Sequence, residues 1–315
     1  MNQRIALSAC FLFALCSVFF GLIFGSVQNA DWNLILDLRL PRVLAAFSIG
    51  ALLATSGNLL QTYTRNSLAE PSVLGVSGGA SVGALLAIIL GATVWLGAWI
   101  GAMVLLFLLW WVAGGLVGSS QRLLLAGVML STACGAVISL LLILTPDKIL
   151  PGILHWLMGD LQGVLDWRAS LATFIFSFIF VCVIWSRSSS IQLLPLGWDK
   201  VASLGVAVTQ LRWVIILGSS LAVAISVSMA GTIGFIGLVV PHAVRLMFPR
   251  TLGAHQAWLI PSCALIGGAL LVVADLISRT LAAPSELPVG VVTAAIGVPF
   301  FLYLLARQGQ WGNHP

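Results

Sequence analysis

Apolar runs of about 18 residues or more, almost free of charge, recur from one end of this chain to the other. A helix needs about 20 such residues to cross a hydrocarbon core of about 30 Å. Of the 315 residues 60% are hydrophobic and 7% charged, where an ordinary soluble domain is about a quarter charged. Lipid is therefore the solvent the chain has to satisfy. A β-barrel would alternate inward and outward residues in segments of about 10, and unbroken stretches such as "VLLFLLWWVAGG" show no alternation. The backbone must satisfy its own polar groups within helices, so the expected class is all-α and polytopic. The first run, from about 5 to 24, is longer than a signal-peptide core and lacks a small-residue cleavage pattern, so it counts as a span.

Ten spans are expected, at about 5–26, 41–62, 73–91, 94–116, 122–144, 169–186, 212–230, 233–247, 257–275 and 289–306. The eighth, between "GTIGFIG" and "RLMFPR", is too short for a straight crossing and should be broken or re-entrant. With the N-terminus inside, nine basic residues fall on the cytoplasmic side (Arg4, Arg65, Arg122, Arg187, Lys200, Arg212, Arg245, Arg250, Arg307). Five fall outside: Arg39, Arg42, Lys148, Arg168 and Arg279. The positive-inside rule favours this orientation, with both termini cytoplasmic. Seven of the nine acids then lie outside (Asp31, Asp37, Asp147, Asp160, Asp166, Asp275, Glu286). The net charge of +5 belongs mainly to the inner loops and gives no reason to invoke nucleic acid. No soluble domain is left over: residues 1–315 form one membrane domain, with a long inner loop at 187–212.

Five cysteines (Cys10, Cys16, Cys134, Cys182, Cys263) lie within apolar runs without CxxC or Cys/His spacing, which reads as packing rather than disulfides or a metal site. Gly75, Gly79 and Gly83 recur every four residues on the third span, a stripe that lets a neighbouring backbone come close.

Transport needs an energy source, and the chain lacks one. A phosphate-binding loop requires GxxxxGK[ST], but the only lysines are Lys148 and Lys200, each after an aspartate. Ion-coupled carriers place titrating carboxylates at membrane depth, whereas nearly every acid here sits at a span end, and Asp275 has Arg279 four residues on as a partner. His242, beside Pro241, is the best exception. No HExxH, GxSxG or facing acid pair suggests an intramembrane enzyme. The motor must therefore be another subunit that docks on inner loops. The loop "SRSSSIQLLPLGWDKVASLGVAVTQLRW" suits that, with a helix-like piece from Trp198 to Leu204 ending at Gly205. Its alternative is an amphipathic segment lying on lipid. A self-contained secondary transporter and a non-transporting structural membrane protein are the rival functional classes.

The segment "LRLPRVLAAFSIGALLATSGNLLQTYTRNSLAEPSVLGVSGGASVG" (38–83) resembles the signature region of the FecCD-type permeases, membrane subunits of type II ABC importers for iron-siderophores, haem and cobalamin. "RLLLAGV" (122–128), "LHWLMGDLQGVLDW" (154–167), "GTIGFIGLVVPHAVRL" (231–246) and "ELPVGVVTAAIGVPFFLYLL" (286–305) continue the resemblance in the family's order. It implies a homodimer or pseudodimer of ten-helix subunits, two separate ATPase subunits that bind ATP and Mg, and a periplasmic substrate-binding protein. It implies no cofactor and no catalytic residue on this chain.

Residue by residue, the resemblance implies that Arg39, Arg42 and Arg279 face the periplasm and meet acidic groups of the binding protein. Asp37 or Asp275 would be their alternative, intrachain partners. "TRNSLAEP" resembles the family's short turn near the cytoplasmic gate, which places Asn66, Ser67 and Leu68 there, together with Ser120 and Gln121 from the turn that includes Ser119. The family commonly has NPLAEP, so Ser67 replaces a proline and should leave this turn less rigid. Gly197, Ala202 and Gly205 fit the family's coupling-helix spacing, with Trp198 and Asp199 where an acid usually follows the glycine. The block 149–165, with His155, Trp156, Met158 and Asp160, is expected near the outer mouth. An iron-siderophore is the first expectation for cargo, cobalamin the second and haem the third.

Overall fold

The computed structural model describes residues 3–25, 32, 35–112, 120–164, 166–247, 255–283 and 285–311. Among them it contains α1 (Gln3–Ile23), α2 (Leu40–Thr64), α3 (Val76–Ile89), α4 (Val94–Val112), α5 (Ser120–Leu144), α6 (Leu150–Leu157) and α7 (Trp167–Ser186). The second half adds α8 (Ser188–Gln192), α9 (Trp198–Ser203), α10 (Val208–Ala230), α11 (Ile236–Met247), α12 (Gln256–Thr280) and α13 (Val289–Trp311). Each of the ten expected spans meets one of these helices. Seven stretches are long and apolar enough to cross a membrane, and three apolar helices are shorter: Val76–Ile89, Ile236–Leu246 and Val289–Tyr303.

The organising element is α2. Its sequence "VLAAFSIGALLATSGNLL" is small and apolar on every side, so it has no polar face to turn outward. About 89% of its span is enclosed, against 11% for α5. It packs against α12, α10, α7 and α11. Backbone reaches backbone where Gly50 meets Gly267 of α12 and Gly57 meets Gly237 of α11, sites where a Cβ would strike the facing carbonyl. The expected stripe on α3 works in the same way: Gly79 and Gly83 interlock with Gly101 and Gly97 of α4. Gly75 does a different job, taking φ +80 where the chain enters α3.

Three expectations need correction. The third span does not begin as a full crossing at 73. Pro71 starts a 3-10 turn (Pro71–Leu74), and α3 proper has 14 residues. Asp275 does not end the ninth span, because α12 runs on to Thr280 and encloses Asp275 completely. Of the cysteines, Cys10, Cys134 and Cys263 are buried, but Cys16 and Cys182 are exposed on the bundle surface. The short eighth span is as expected: α11 has 12 residues and follows an irregular approach at 231–235.

Candidate functional sites at the two ends of the bundle

The loop end of the bundle is built on the last turn of α2. Arg65 closes that helix in the left-handed region (φ 52), and its N–H donates to the Gln61 carbonyl. The turn then folds on Asn66, whose side-chain oxygen accepts the Leu68 N–H at 2.9 Å and whose carbonyl accepts the Ala69 N–H at 3.1 Å. Asn66 thus supplies the order that Ser67, in place of a proline, does not. Asn66, Ser67 and Leu68 are exposed. Ser120 and Gln121 open α5, while Ser119 lies outside the described residues.

The 187–212 loop lies against the same end of α2. Gly197 adopts φ 107 to turn the chain into α9, and Gly205 (φ 81) turns it out again. The helix ends at Ser203, one residue short of the expected end. Trp198 packs at a tilt of 59° against Tyr63 of α2, with ring centroids 5.2 Å apart. The guanidinium of Arg212 lies 4.4 Å from the Trp198 ring. The residue that departs from the family pattern therefore anchors the loop to the bundle. Ile191, Leu194 and Val201 are buried beneath it. Asp199, Lys200 and Ala202 face outward beside Leu196 and Leu204, both more than half exposed. Two exposed leucines among charges on a rigidly seated loop form a surface that a protein partner can cover.

At the other end the three arginines converge. Arg42 donates Nε to Asp275 Oδ1 at 2.9 Å and Nη1 to Glu286 Oε2 at 2.8 Å. Arg279 pairs with Asp275 Oδ2 at 3.0 Å and donates to the Gly21 carbonyl at 3.2 Å. Arg39 donates to the carbonyls of Leu22 and Ile23 at 3.0 and 2.6 Å, satisfying the C-terminal end of α1. All three arginines are buried in the chain (4–9% exposed) and committed to intrachain partners. The sequence brought Arg279 and Asp275 together but missed the bridge from Arg42 to Glu286.

Two histidines were singled out. His155 sits on α6 with Nδ1 3.1 Å from Asp160 Oδ2. Asp160 also caps the following turn through the Gln162 N–H. His242 is buried one turn from Arg245, its Nε2 without a hydrogen-bond partner. Sequence reasoning missed the network beside it. Arg245 donates to Gln61 Oε1 at 2.6 Å and to Asn58 Oδ1 at 2.8 Å, and Asn58 donates to Gln256 Oε1 at 2.8 Å. Glutamine and asparagine at the inward positions of an apolar α2 were the available signal.

A multi-pass helical bundle with a seated loop at one end and a buried charge cluster at the other has the architecture of a membrane permease. The chain belongs to the FecCD transport family, whose model matches residues 5–307. It is 38% identical over 293 residues to the vitamin B12 import system permease protein BtuC of Vibrio vulnificus, covering 90% of this chain and 86% of that one. It is 36% identical over 300 residues to the hemin transport system permease protein HmuU of Yersinia pestis, with the same coverage. A solved inward-facing metal-chelate type ABC transporter superposes with a TM-score of 0.86 at 30% identity, covering 97% of this chain and 99% of that one.

Proposed function

We propose that this chain is the permease subunit of a binding-protein-dependent ABC importer that carries a metal chelate across the bacterial inner membrane. The observation that carries this reading is the coupling loop, seated on α2 through Trp198 and presenting Leu196, Asp199, Ala202 and Leu204 outward. Two separate ATPase subunits would dock there and hydrolyse ATP with Mg, with Gly197 and Gly205 setting the loop's shape. Movement would pass through α2 to the gate turn at Asn66, Ser67 and Leu68 and to Ser120 and Gln121 at the start of α5. A second copy of the chain would complete the path, and both termini would be cytoplasmic.

For the outer end we propose docking by exchange of carboxylates. Arg42 already holds Glu286, whose side chain is 20% exposed, whereas Asp275 is fully enclosed. An acidic group of the binding protein would take the place of Glu286 on Arg42, while Asp275 keeps Arg42 and Arg279 in position. Arg39 would fix the adjoining end of α1.

An iron-siderophore remains the first cargo, with cobalamin close behind because of the BtuC relative and haem third because of the HmuU relative. The test is purification of the tagged chain from native membranes, identification of its partners, and titration of the binding protein with ferric siderophore, cobalamin and haem. Recovery of a P-loop ATPase and saturable binding of one chelate would support the reading. A chain that transports alone, without an ATPase, would overturn it.

A further inference from the structure

The turn after α2 does not stay at the membrane surface. Gly237 of α11 lies against both the Pro71 ring and the Leu53 carbonyl, so Pro71 sits level with the middle of α2. At about 1.5 Å per residue, Leu53 is roughly 16 Å from the end of that helix at Thr64. The chain from 65 to 75 therefore runs back alongside α2 before α3 begins, and it carries Glu70 with it.

There Glu70 Oε1 accepts the backbone N–H of Phe235 at 2.7 Å, from 165 residues away in the sequence. Among the described residues no cation pairs with the carboxylate. Phe235 immediately precedes α11 and has φ 69, a conformation that bulky side chains rarely accept and that something must hold. Its side chain fills the space beside Gly297 of α13, 2.6 Å from where a Cβ would stand. In a capping box a glutamate inside the helix accepts the N-cap N–H; here the acceptor comes from the gate segment. Beside it lies a cavity of about 190 Å³ lined by Glu70, Ser72, Ser77, Val227, Thr232 and Gly234. The junction of the two broken elements thus borders open space rather than being packed solid on every side.

We infer that Glu70 is a positioning residue for transport: its hydrogen bond to Phe235 ties the gate turn to the start of α11, so that the two move as one body. This rests on the transport reading above, with the gate assigned to Asn66, Ser67 and Leu68. A gate displacement is then delivered to α11 and, through the Phe235 wedge, to α13.

The experiment compares Glu70→Gln, which keeps an acceptor oxygen, with Glu70→Ala and Glu70→Met, which remove it, the methionine preserving volume. The complete complex is reconstituted in proteoliposomes, and chelate moved per ATP hydrolysed is measured. Glu70→Met should lower that ratio at least tenfold while ATP hydrolysis itself stays within about twofold, and Glu70→Gln should remain within about threefold of wild type. A folded Glu70→Met or Glu70→Ala variant with a wild-type ratio would overturn the assignment, as would a Glu70→Gln variant as poor as Glu70→Met. Amide hydrogen exchange of the purified permease gives a readout independent of transport: the first turn of α11 should exchange about tenfold faster in Glu70→Met. Unchanged exchange there would refute the tie even if the importer reading failed, and faster exchange would sustain it.

Discussion

Replacing Asp275 with alanine tests whether the buried charge cluster is held by its carboxylate. Asp275 has no exposed side-chain surface and serves Arg42 and Arg279, whose side chains are 10% and 5% exposed. Without it Arg42 still has Glu286, but Arg279 keeps only backbone carbonyls, those of Gly21 and of residue 275 itself, and no counter-charge. Removing one partner of a buried ion pair costs about 3–5 kcal/mol, because the remaining charge stays desolvated. At about 1.36 kcal/mol per tenfold, that shifts the folding equilibrium by roughly 160- to 5,000-fold. The assay is reversible unfolding by SDS titration in mixed micelles. A companion variant, Arg42→Met with Asp275→Leu and Arg279→Met, removes Asp275 and both arginines paired with it while keeping volume, leaves only the partly exposed Glu286 charged, and should lie within about 1 kcal/mol of wild type. A loss below about 1 kcal/mol in Asp275→Ala would refute the reasoning. An equal loss in the triple variant would show that shape, and not charge, governs the cluster.

Glu286→Gln should strengthen the binding-protein complex several-fold, because the neutral amide competes less well for Arg42; surface plasmon resonance at two salt concentrations would show it, and unchanged affinity would remove the exchange model. Trp198→Ala should destabilise the loop by about 1–3 kcal/mol, the sum of an aromatic pair and a cation–π contact. Its measurable consequence is weaker ATPase docking in pull-down assays, with the helical content in circular dichroism unchanged. Gly83→Leu should disrupt the α3–α4 contact by about 3 kcal/mol or more, read as loss of the monodisperse peak in size-exclusion chromatography, whereas Gly91→Ala, with open space around it, should cost only the strain of its left-handed φ of 67, about 1–2 kcal/mol.

Hydropathy is a property of a local window, so the ten spans, the shortness of α11 and the absence of a P-loop are all legible in the chain itself. Local spacing also yields Asp275 with Arg279 at one helical turn, the α3 glycine stripe, and the six-residue helix that begins at Trp198. Those readings depend on residues a few positions apart, whose relative geometry the helix dictates. Nothing local tells Arg42 that Glu286, 244 positions away, will be its second partner. Nor does it tell Trp198 that Tyr63 will lie beneath it, or Glu70 that the turn will carry it to the level of Leu53. Those pairings arise because Gly50 and Gly57 bring α12 and α11 into backbone contact with α2. At that separation side chains have only one set of neighbours. The sequence alone thus determined a polytopic helical permease whose given residues carry no P-loop motif. Which charges are sheltered, where the turn after α2 lies in depth and what it is tied to were decided by tertiary packing, because close approach between helices, and not hydropathy, selects the partners of buried polar groups.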